Sequence, residues 1–256
     1  MSQTRPSVLV TGGAKRIGAA IAKRFADEGW HVVIHYRSSA DEAEALAASF
    51  DSAETISCDL ADGDGAVAMI GDLAGKLQDW RALINCASVF VPDGVTKLDP
   101  ETNIQAMQIN ARSPARMAQA YLAKASAAHG RHVIQLTDQK LQNPNPDFFS
   151  YTMSKHALDA TVAMLAMGAA REEDRVYGLA PGAILASHDQ TSEEAEVSHR
   201  LNLLERRTHA SEIADAALFL AHGHLASGQT VYVDSGQHLL RQPRDVIYLA
   251  REGVGR

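Results

Sequence analysis

One stretch near the amino end of the chain, Val8–Gly18, limits the possible folds more than any other. Its first residues, Val8–Thr11, form an apolar, β-branched run that predicts a buried strand, and the pattern of Ile17–Glu28 predicts a helix. A turn containing Gly12, Gly13 and Gly18 joins the two. Glycines let the backbone approach a pyrophosphate closely, and the N–H groups that begin a helix attract negative charge. The stretch therefore predicts a strand, a phosphate-binding loop and a helix.

Strand-like and helix-like segments alternate along the chain. The predicted strands are Val8–Thr11, His31–Tyr36, Thr55–Cys58, Ala82–Asn85, His132–Leu136, Val176–Leu179 and Thr230–Val233. The predicted helices are Ile17–Glu28, Ala40–Phe50, Asp64–Leu77, Ile104–Ala127, Tyr151–Ala169 and Ser211–Ala221. This alternation predicts an α/β fold, a single doubly wound Rossmann domain with a parallel sheet of about seven strands and helices on both faces. No linker divides the chain, so residues 1–256 are expected to form one domain, with ligands beyond the carboxyl ends of the strands.

Composition narrows the choice of partners. The formal net charge is −7 and the chain has no basic cluster, so nucleic acid is not an expected partner. Cys58 and Cys86 lack metal-ligand spacing, which predicts reduced thiols and no metal site, and the 11 scattered histidines are expected at the surface. No apolar signal region follows Met1–Pro6 and no apolar run is long enough to span a bilayer. A cytoplasmic protein without membrane association is expected.

The glycine turn carries a family resemblance. Thr-Gly-x-x-x-Gly-x-Gly is the fingerprint of the short-chain dehydrogenase/reductase family, and Thr11–Gly18 resembles it with Arg16 in place of the middle glycine. This variant resembles the one used by pteridine reductases and dihydromonapterin reductases, in which the arginine reaches toward cofactor and substrate. A cation is disfavoured at the amino end of a helix, so we expect an anionic partner for Arg16.

The residues after the second strand indicate the cofactor. An acid there would bind the ribose 2′-hydroxyl of NAD, whereas Arg37 suits the 2′-phosphate of NADPH. The resemblance implies a role for Asp59 at the adenine ring, although an Asp at this place can also cap a helix beginning near Ala61. The full set of cofactor-binding residues that the resemblance implies is Gly12, Arg16, Ile17, Gly18, Tyr36, Arg37, Ser38, Asp59, Leu60, Asn85, Ala87, Tyr151, Lys155, Pro181 and Gly182.

Candidate catalytic residues lie near the fifth predicted strand. Tyr151 and Lys155 are four residues apart, so they share one helical face, and the ammonium is expected to lower the pKa of the phenol from its usual value of about 10. The resemblance adds Asn110 and assigns Asp138 to the position where ordinary family members have a serine. A carboxylate would repel a developing alkoxide, but it can accept N–H bonds from a pterin ring and relay a proton to it.

The resemblance to pteridine reductases also implies a substrate site. Its residues are expected to be Arg16, Ser88, Phe90, Asp138 and Tyr151. Phe90 takes the place of an aromatic residue that stacks on the pterin, but an aromatic side chain at this position is also compatible with the core. Residues 185–203 are expected to form a mobile cover over the substrate. In the carboxyl-terminal tail, residues 237–256, the apolar stretch Val246–Leu249 is expected to dock on a neighbouring subunit.

Together these features predict NADPH-dependent reduction of a dihydropterin, such as dihydromonapterin or dihydrofolate, with hydride going to C6 and a proton to N5. Two alternatives stay open. One is a reductase of another carbonyl or imine, and the other is a catalytically silent NADPH-binding sensor. The resemblance further implies a homo-oligomer, with a tetramer favoured over a dimer.

Overall fold

Seven parallel strands form a single sheet in the computed structural model, which describes residues 5–187 and 189–254. Predictions for Met1–Thr4, for position 188 of the cover and for the last two residues lie outside these ranges. The strands are β1 (Ser7–Val10), β2 (His31–Tyr36), β3 (Ala53–Ser57), β4 (Trp80–Asn85), β5 (His132–Leu136), β6 (Arg175–Pro181) and β7 (Thr230–Val233). Their order is β3-β2-β1-β4-β5-β6-β7, so the chain reverses direction across the sheet between β1 and β4. The predicted fold class is confirmed.

Helices cover both faces of this sheet, as right-handed crossovers between parallel strands require. They are α1 (Arg16–Asp27), α2 (Ala40–Ala48), α3 (Gly63–Lys76), α4 (Pro100–Met107), α5 (Ser113–Lys124), α6 (Phe149–Gly168), α7 (Ser192–Arg200), α8 (Ala210–Ala221) and α9 (Val246–Val254). One apolar core lies between the sheet and α1 and α8. A second core lies on the opposite face, against α3, α5 and α6.

Three helical features differ from the prediction. The single helix predicted over Ile104–Ala127 is divided into α4 and α5 by a π-helical turn, Gln108–Arg112. Helix α7 lies inside the predicted cover, where a polar composition concealed it, and it begins with a capping box between Thr191 and Glu194. Helix α9 forms in the tail, where Val246, Ile247 and Ala250 are buried, and packing of an apolar face is what stabilises most short helices.

The apolar segment of the tail packs against its own subunit. Val246 and Ile247 are each only 7% exposed, and Ile247 contacts the cluster formed by Phe148 and Tyr151. The expectation that Val246–Leu249 docks on a neighbouring subunit is therefore wrong for these two side chains. Their apolar area is already buried within the chain, where it closes one side of a cavity.

The structure also bears on the predictions about membrane spans, metal sites, thiols and histidines. Over residues 5–187 and 189–254, no helix is long and apolar enough to cross a membrane, and no group of His, Cys, Asp and Glu side chains is arranged to hold a metal ion. Cys58 and Cys86 are free thiols. Three histidines, His35, His132 and His199, are buried, so the expectation that the histidines lie at the surface is wrong for them.

Candidate active site

The glycine turn packs backbone against backbone at the carboxyl end of β1. Gly12 has a φ of +63°, and a Cβ atom there would lie 3.0 Å from the Cα of Ala87. A Cβ at Gly18 would overlap the carbonyl oxygen of Gly12. Neither position can accept a side chain without moving the main chain, and only glycine adopts the first conformation at low cost. The turn therefore has the shape that the sequence predicts for a phosphate-binding loop, and it leads into α1 at Arg16.

His35 in β2 holds this turn in place. Its Nδ1 accepts a hydrogen bond from the Gly12 N–H at 3.1 Å, and its Nε2 lies 3.0 Å from the Cys58 carbonyl oxygen. These partners require a neutral ring with its proton on Nε2. Burial lowers the pKa of His35 to about 4, which is consistent with that state. The sequence analysis missed this residue, although a polar side chain within an otherwise apolar strand was the available signal.

A small pocket of about 140 Å³ lies beside the turn. Its lining consists of Gly12, His35, Arg37, Asp59, Leu60, Ala87, Ser88, Val89 and Ile109. The Arg37 guanidinium is exposed, and no residue in the described ranges forms a hydrogen bond or ion pair with it. Asp59 accepts the Ala61 N–H, but Asp62 caps α3, so the capping alternative for Asp59 is wrong. The pocket brings together residues from the ends of β1, β2, β3 and β4.

The other predicted cofactor-binding residues follow the same edge of the sheet. Tyr36 ends β2 and is followed by the exposed Ser38, and Pro181 ends β6. Asn85 is buried and donates to the Gln135 side chain at 2.9 Å, so it braces β4 against β5. Arg16, Ile17 and Gly182 line a second, larger cavity, described next.

This larger cavity of about 210 Å³ adjoins the turn on the side of β5 and β6. It brings together four of the five predicted substrate residues, Arg16, Phe90, Asp138 and Tyr151. Ser88 is the exception, because it lines the small pocket and its hydroxyl contacts the Asn110 side chain at 3.1 Å. The rest of the wall comes from the segment after β6 and from α7, which lies within the predicted cover of residues 185–203. The tail also contributes, although the sequence analysis did not assign it to the site.

Tyr151 and Asp138 form a hydrogen-bonded pair in this cavity. The phenol hydroxyl donates to Asp138 Oδ2 at 2.6 Å, while Oδ1 accepts the Lys140 N–H at 2.8 Å. Burial raises the pKa of Asp138. Burial and the adjacent Asp138 carboxylate raise the pKa of Tyr151 well above its usual value. The phenol therefore keeps its proton at neutral pH, and the prediction that a neighbouring ammonium brings its pKa down is wrong for this arrangement.

Lys155 lies on the predicted face of α6 but turns toward the sheet. Its ammonium donates to the Leu136 carbonyl at 2.7 Å and lies 5.7 Å from the centre of the Tyr151 ring. Burial lowers the pKa of Lys155, and the Asp138 carboxylate opposes that shift. The lysine thus joins the end of β5 to the base of the cavity without a direct bond to the phenol oxygen.

Asn110 occupies the π-helical turn between α4 and α5. It is completely buried, and its amide donates to the Val89 carbonyl at 2.9 Å and the Ser154 hydroxyl at 3.0 Å. Its Oδ1 accepts the Val89 N–H at 2.8 Å. These bonds hold the segment after β4 against α6. The asparagine lies in the π-helical turn Gln108–Arg112, and such turns commonly occur at functional positions.

Aromatic rings form one wall of the larger cavity. Phe90 stacks on Phe148 with ring centres 4.0 Å apart and meets the edge of Tyr151 at 4.6 Å. Phe148 has a left-handed φ of 52° and also stacks on Tyr248 of α9 at 6.0 Å. Phe90 is only partly buried and lines the cavity, so it is not an ordinary core residue. Phe148 and Tyr248 carried no local pattern that would have identified them.

A buried ion pair closes the side of the cavity formed by the tail. The Lys140 ammonium lies 3.1 Å from Asp245 Oδ2 and donates to the Asp147 carbonyl at 2.7 Å. Asp245 precedes α9 and accepts the Ile247 N–H at 3.2 Å. The pair therefore connects the turn that follows Asp138 to the start of the tail helix.

Comparison with known proteins finds one matching family model and several similar proteins. A family model described as enoyl-(acyl carrier protein) reductase matches residues 12–238. Pteridine reductase 1 of Leishmania tarentolae is 27% identical, over 94% of this chain and 99% of its own length. Dihydromonapterin reductase of Escherichia coli strain K12 is 26% identical over 93% and 100%. The crystal structure of FolM alternative dihydrofolate reductase 1 from Brucella suis, in complex with NADP, has a TM-score of 0.87 and 31% identity, and the similarity covers 94% of this chain and 98% of that one.

Proposed function

The chain belongs to the short-chain dehydrogenase/reductase family, and from that premise we propose that it reduces a dihydropterin with NADPH. The observation that carries the proposal is the Asp138–Tyr151 pair, 2.6 Å apart, in a cavity walled by the Phe90 ring. An acid in place of the usual serine suits a substrate that offers N–H groups. The named relatives include a pteridine reductase and a dihydromonapterin reductase, which agrees with this substrate class.

Residues at the sheet edge fit NADPH. Gly12 and Gly18 have no side chains and could not accept one without moving the main chain. A pyrophosphate can therefore approach the backbone of the turn closely. The Arg37 guanidinium has no partner among the described residues, so it can bind the 2′-phosphate. Positions 36 and 37 hold no acidic residue that would bind the ribose 2′-hydroxyl of NAD instead. The Brucella relative, crystallised with NADP, supports the same cofactor.

The proposed chemistry needs a hydride and a proton. NADPH, when bound, supplies the hydride that adds to C6 of the pterin. The Tyr151 phenol, whose pKa is raised, holds a proton at neutral pH, and Asp138 orients it by accepting the O–H. Delivery of that proton to N5, directly or through the carboxyl group, completes saturation of the C6–N5 double bond, and solvent then reprotonates the pair. Lys155 and Asn110 act by holding β5, α6 and the segment after β4 in position.

The aromatic wall is a surface against which a flat substrate can pack. In this proposal the pterin packs beside Phe90, with Asp138, Tyr151 and Arg16 at its polar edge. Phe148 holds the Phe90 ring from behind at 4.0 Å. Ser88 has no place in this substrate site, because it lines the small pocket. Its hydroxyl instead contacts Asn110, which holds the segment after β4.

The test is NADPH oxidation by the purified protein with dihydromonapterin, dihydrofolate and dihydrobiopterin, beside a panel of ketones. Turnover of the dihydropterins is expected, with little or none of the ketones. The Tyr151→Phe variant should lose about a hundredfold or more in kcat and should still bind NADPH. Turnover of ketones alone would establish a carbonyl reductase instead. NADPH binding without turnover of any compound would establish the silent sensor.

A further inference from the structure

An arginine in the tail helix α9 reaches across to the predicted cover of residues 185–203. Nη2 of Arg251 donates to Asp189 Oδ2 at 2.8 Å and to the Asp189 carbonyl at 3.0 Å. Its Nε lies 3.5 Å from Oε1 of Glu194, in the first turn of α7. One guanidinium therefore joins the tail to two carboxylates and a main-chain oxygen of the cover.

This contact has more partners than an ordinary surface ion pair. Isolated surface pairs contribute little to stability, whereas a network of several charges can contribute more. The Arg251 guanidinium lies 5.7 Å from the centre of the Tyr248 ring, and the Arg244 guanidinium lies 4.6 Å from the same ring. The Glu194 side chain is only 17% exposed, and its Oε2 accepts the Thr191 N–H at 2.8 Å. Both sides of the contact are thus held by further interactions.

The other end of α9 is attached to the segment that carries Asp138. Nε of Arg244 donates to both carboxylate oxygens of Asp147, at 2.8 and 3.1 Å. Asp147 Oδ2 also accepts the Asp245 N–H at 2.8 Å, and Asp245 pairs with Lys140, two residues after Asp138. The tail helix therefore connects this segment with the cover.

The part of the cover that Arg251 contacts also forms a wall of the larger cavity. The lining residues in this part are Ser187, Gln190, Ser198 and His199. Gln190 accepts the Ser187 N–H at 2.9 Å and donates to the Ser198 hydroxyl at 3.2 Å, so the segment before α7 is bonded to the last turn of α7. Both partners of Arg251 belong to this bonded unit, so a shift of the unit away from α9 would displace the wall.

We propose that Arg251 is a positioning residue of the substrate site, which holds the cover against the tail helix through Asp189 and Glu194. This inference rests on the proposed function, because the cavity that the cover borders is the one assigned to the dihydropterin. Arg251 is not among the described residues that line the cavity, so it acts through the cover. It also lies beyond residue 238, where the match to the family model ends.

The expected effect is on substrate affinity alone. Contacts between the wall and the substrate exist before and during the reaction, so weakening them raises KM and leaves kcat unchanged. Asp138 and Tyr151, which act in the proposed chemistry, belong to the end of β5 and the start of α6. The small pocket assigned to NADPH is lined by neither α7 nor the tail, so NADPH affinity should not change.

The Arg251→Met variant tests the proposal, because methionine keeps an apolar contact for Tyr248 but removes the charge and the hydrogen bonds. At saturating NADPH, its KM for dihydromonapterin should rise by about three- to fivefold, with kcat within about twofold of the wild type. Amide hydrogen exchange in Ser192–Arg200, measured by mass spectrometry with NADPH present, should become faster by about the same factor.

Two variants serve as controls. Arg24 has a side chain that is 33% exposed, close to the 31% of Arg251, and it also bonds two carboxylates, Glu28 and Asp215, the second of them on another helix. Arg24→Met should therefore change neither the KM nor exchange in α7. Arg251→Lys keeps the positive charge but lacks the planar fork that reaches both carboxylates, so its KM should lie between those of the wild type and Arg251→Met.

A double substitution shows whether Arg251 acts through the cover. Glu194→Gln removes the charge and keeps an acceptor for the Thr191 N–H, as glutamine does in a capping box. Alone it should raise the KM by a smaller factor than Arg251→Met does, and added to Arg251→Met it should raise the KM no further. Independent, multiplicative effects would overturn the proposed route through Glu194.

The results separate this proposal from the proposed function. If the wild-type protein reduces no dihydropterin, the proposed function fails, and exchange in α7 then decides whether Arg251 holds the cover. If dihydropterins are reduced and Arg251→Met has the KM of the wild type, the function stands and the positioning role is wrong. Unchanged exchange in α7 would also overturn that role, as would a lower melting temperature without any change in KM.

Discussion

Arg37 extends from the end of β2 into solvent beside the small pocket, without a partner among the residues that the structure describes. If this guanidinium binds the 2′-phosphate, Arg37→Ala removes a charge-assisted hydrogen bond worth about 1.5–3 kcal/mol. NADPH should then bind about ten- to a hundredfold more weakly, with little change for NADH. Titration of both cofactors by fluorescence checks this, with Lys23→Ala on the outer face of α1 as the matched control. Equal losses for both cofactors would disprove the assignment.

In the proposed function, Asp138 is the residue that distinguishes this site from that of a ketone reductase. In Asp138→Ser the phenol of Tyr151 loses its carboxylate partner at 2.6 Å, and the substrate loses an acceptor for its N–H groups. Turnover of the dihydropterin should fall by about tenfold or more, while NADPH affinity stays the same. Steady-state kinetics with both substrate classes measures the effect, and new ketone reductase activity would support the substitution as the switch. Wild-type turnover of the pterin would show that the aspartate is incidental.

His35 makes the stability of the glycine turn depend on pH. Its pKa is about 4 in the folded protein, against an ordinary value of 6.5 when the chain unfolds. Between these values the unfolded chain binds the extra proton, so the stabilisation is complete above pH 6.5 and is lost as pH falls toward 4.

The His35→Asn variant tests this dependence, because its amide can still accept the Gly12 N–H but does not titrate. The free energy of unfolding of the wild-type protein should fall more steeply with acid than that of the variant, by up to about 1.4 kcal/mol per pH unit inside that window. Denaturant unfolding at a series of pH values measures both slopes. Parallel slopes would mean that His35 titrates normally in the fold.

At the scale of elements, the tail helix α9 acts as a wall of the cavity because the Lys140–Asp245 pair anchors its first turn. Asp245→Asn leaves the buried ammonium of Lys140 uncompensated, a change that costs about 3–5 kcal/mol when a buried pair loses one partner. The KM for the dihydropterin should rise severalfold, and NADPH affinity should stay the same, because α9 does not contribute to the small pocket.

The double variant Lys140→Met with Asp245→Leu removes both charges and should recover much of the lost stability. Thermal melting and substrate kinetics on the single and double variants measure the two effects. An unchanged melting temperature and KM in Asp245→Asn would show that the tail helix is held by its apolar contacts alone.

In the molecule as a whole, the candidate site and a buried ion pair lie at opposite edges of the parallel sheet. The site residues follow the carboxyl ends of the strands, whereas the buried pair Arg131–Asp174 lies just before β5 and β6, at the opposite edge. Asp174 Oδ1 accepts both the backbone N–H and the Nε–H of Arg131 at 3.0 Å. Asp174→Asn should therefore lower the free energy of unfolding by about 3 kcal/mol, through the uncompensated charge of Arg131.

The catalytic activity of Asp174→Asn should be unchanged although the protein is less stable. At a temperature where Asp174→Asn is fully folded, its kcat/KM for NADPH and pterin should equal that of the wild type, because the pair precedes β5 and β6 and the site residues follow the opposite ends of the strands. Unfolding in denaturant and kinetics at that temperature check the two statements. The exposed pair of Lys23 and Asp27 is the control, since removing it should change stability by less than about 1 kcal/mol.

The sequence by itself determined the fold and the edge of the sheet at which the candidate site lies. Strand and helix periodicities are local properties, so the alternation of segments and the sheet that it implies could be predicted. The glycine turn, Arg37, Asp138 and Tyr151 follow predicted strands or begin a helix, and the carboxyl ends of parallel strands share one edge. Their shared location at this edge therefore follows from topology alone.

Only the tertiary structure decided which side chains meet. The placement of Ser88 in the small pocket, the buried state of His35 and His199, and the pairing of Lys140 with Asp245 all depend on segments that are far apart in the chain. The pKa of Tyr151 shows the reason. Its spacing from Lys155 predicted a lowered value, but burial and contact with Asp138 raise it, because electrostatic energies depend on distance and solvent exposure, which no local pattern of residues specifies.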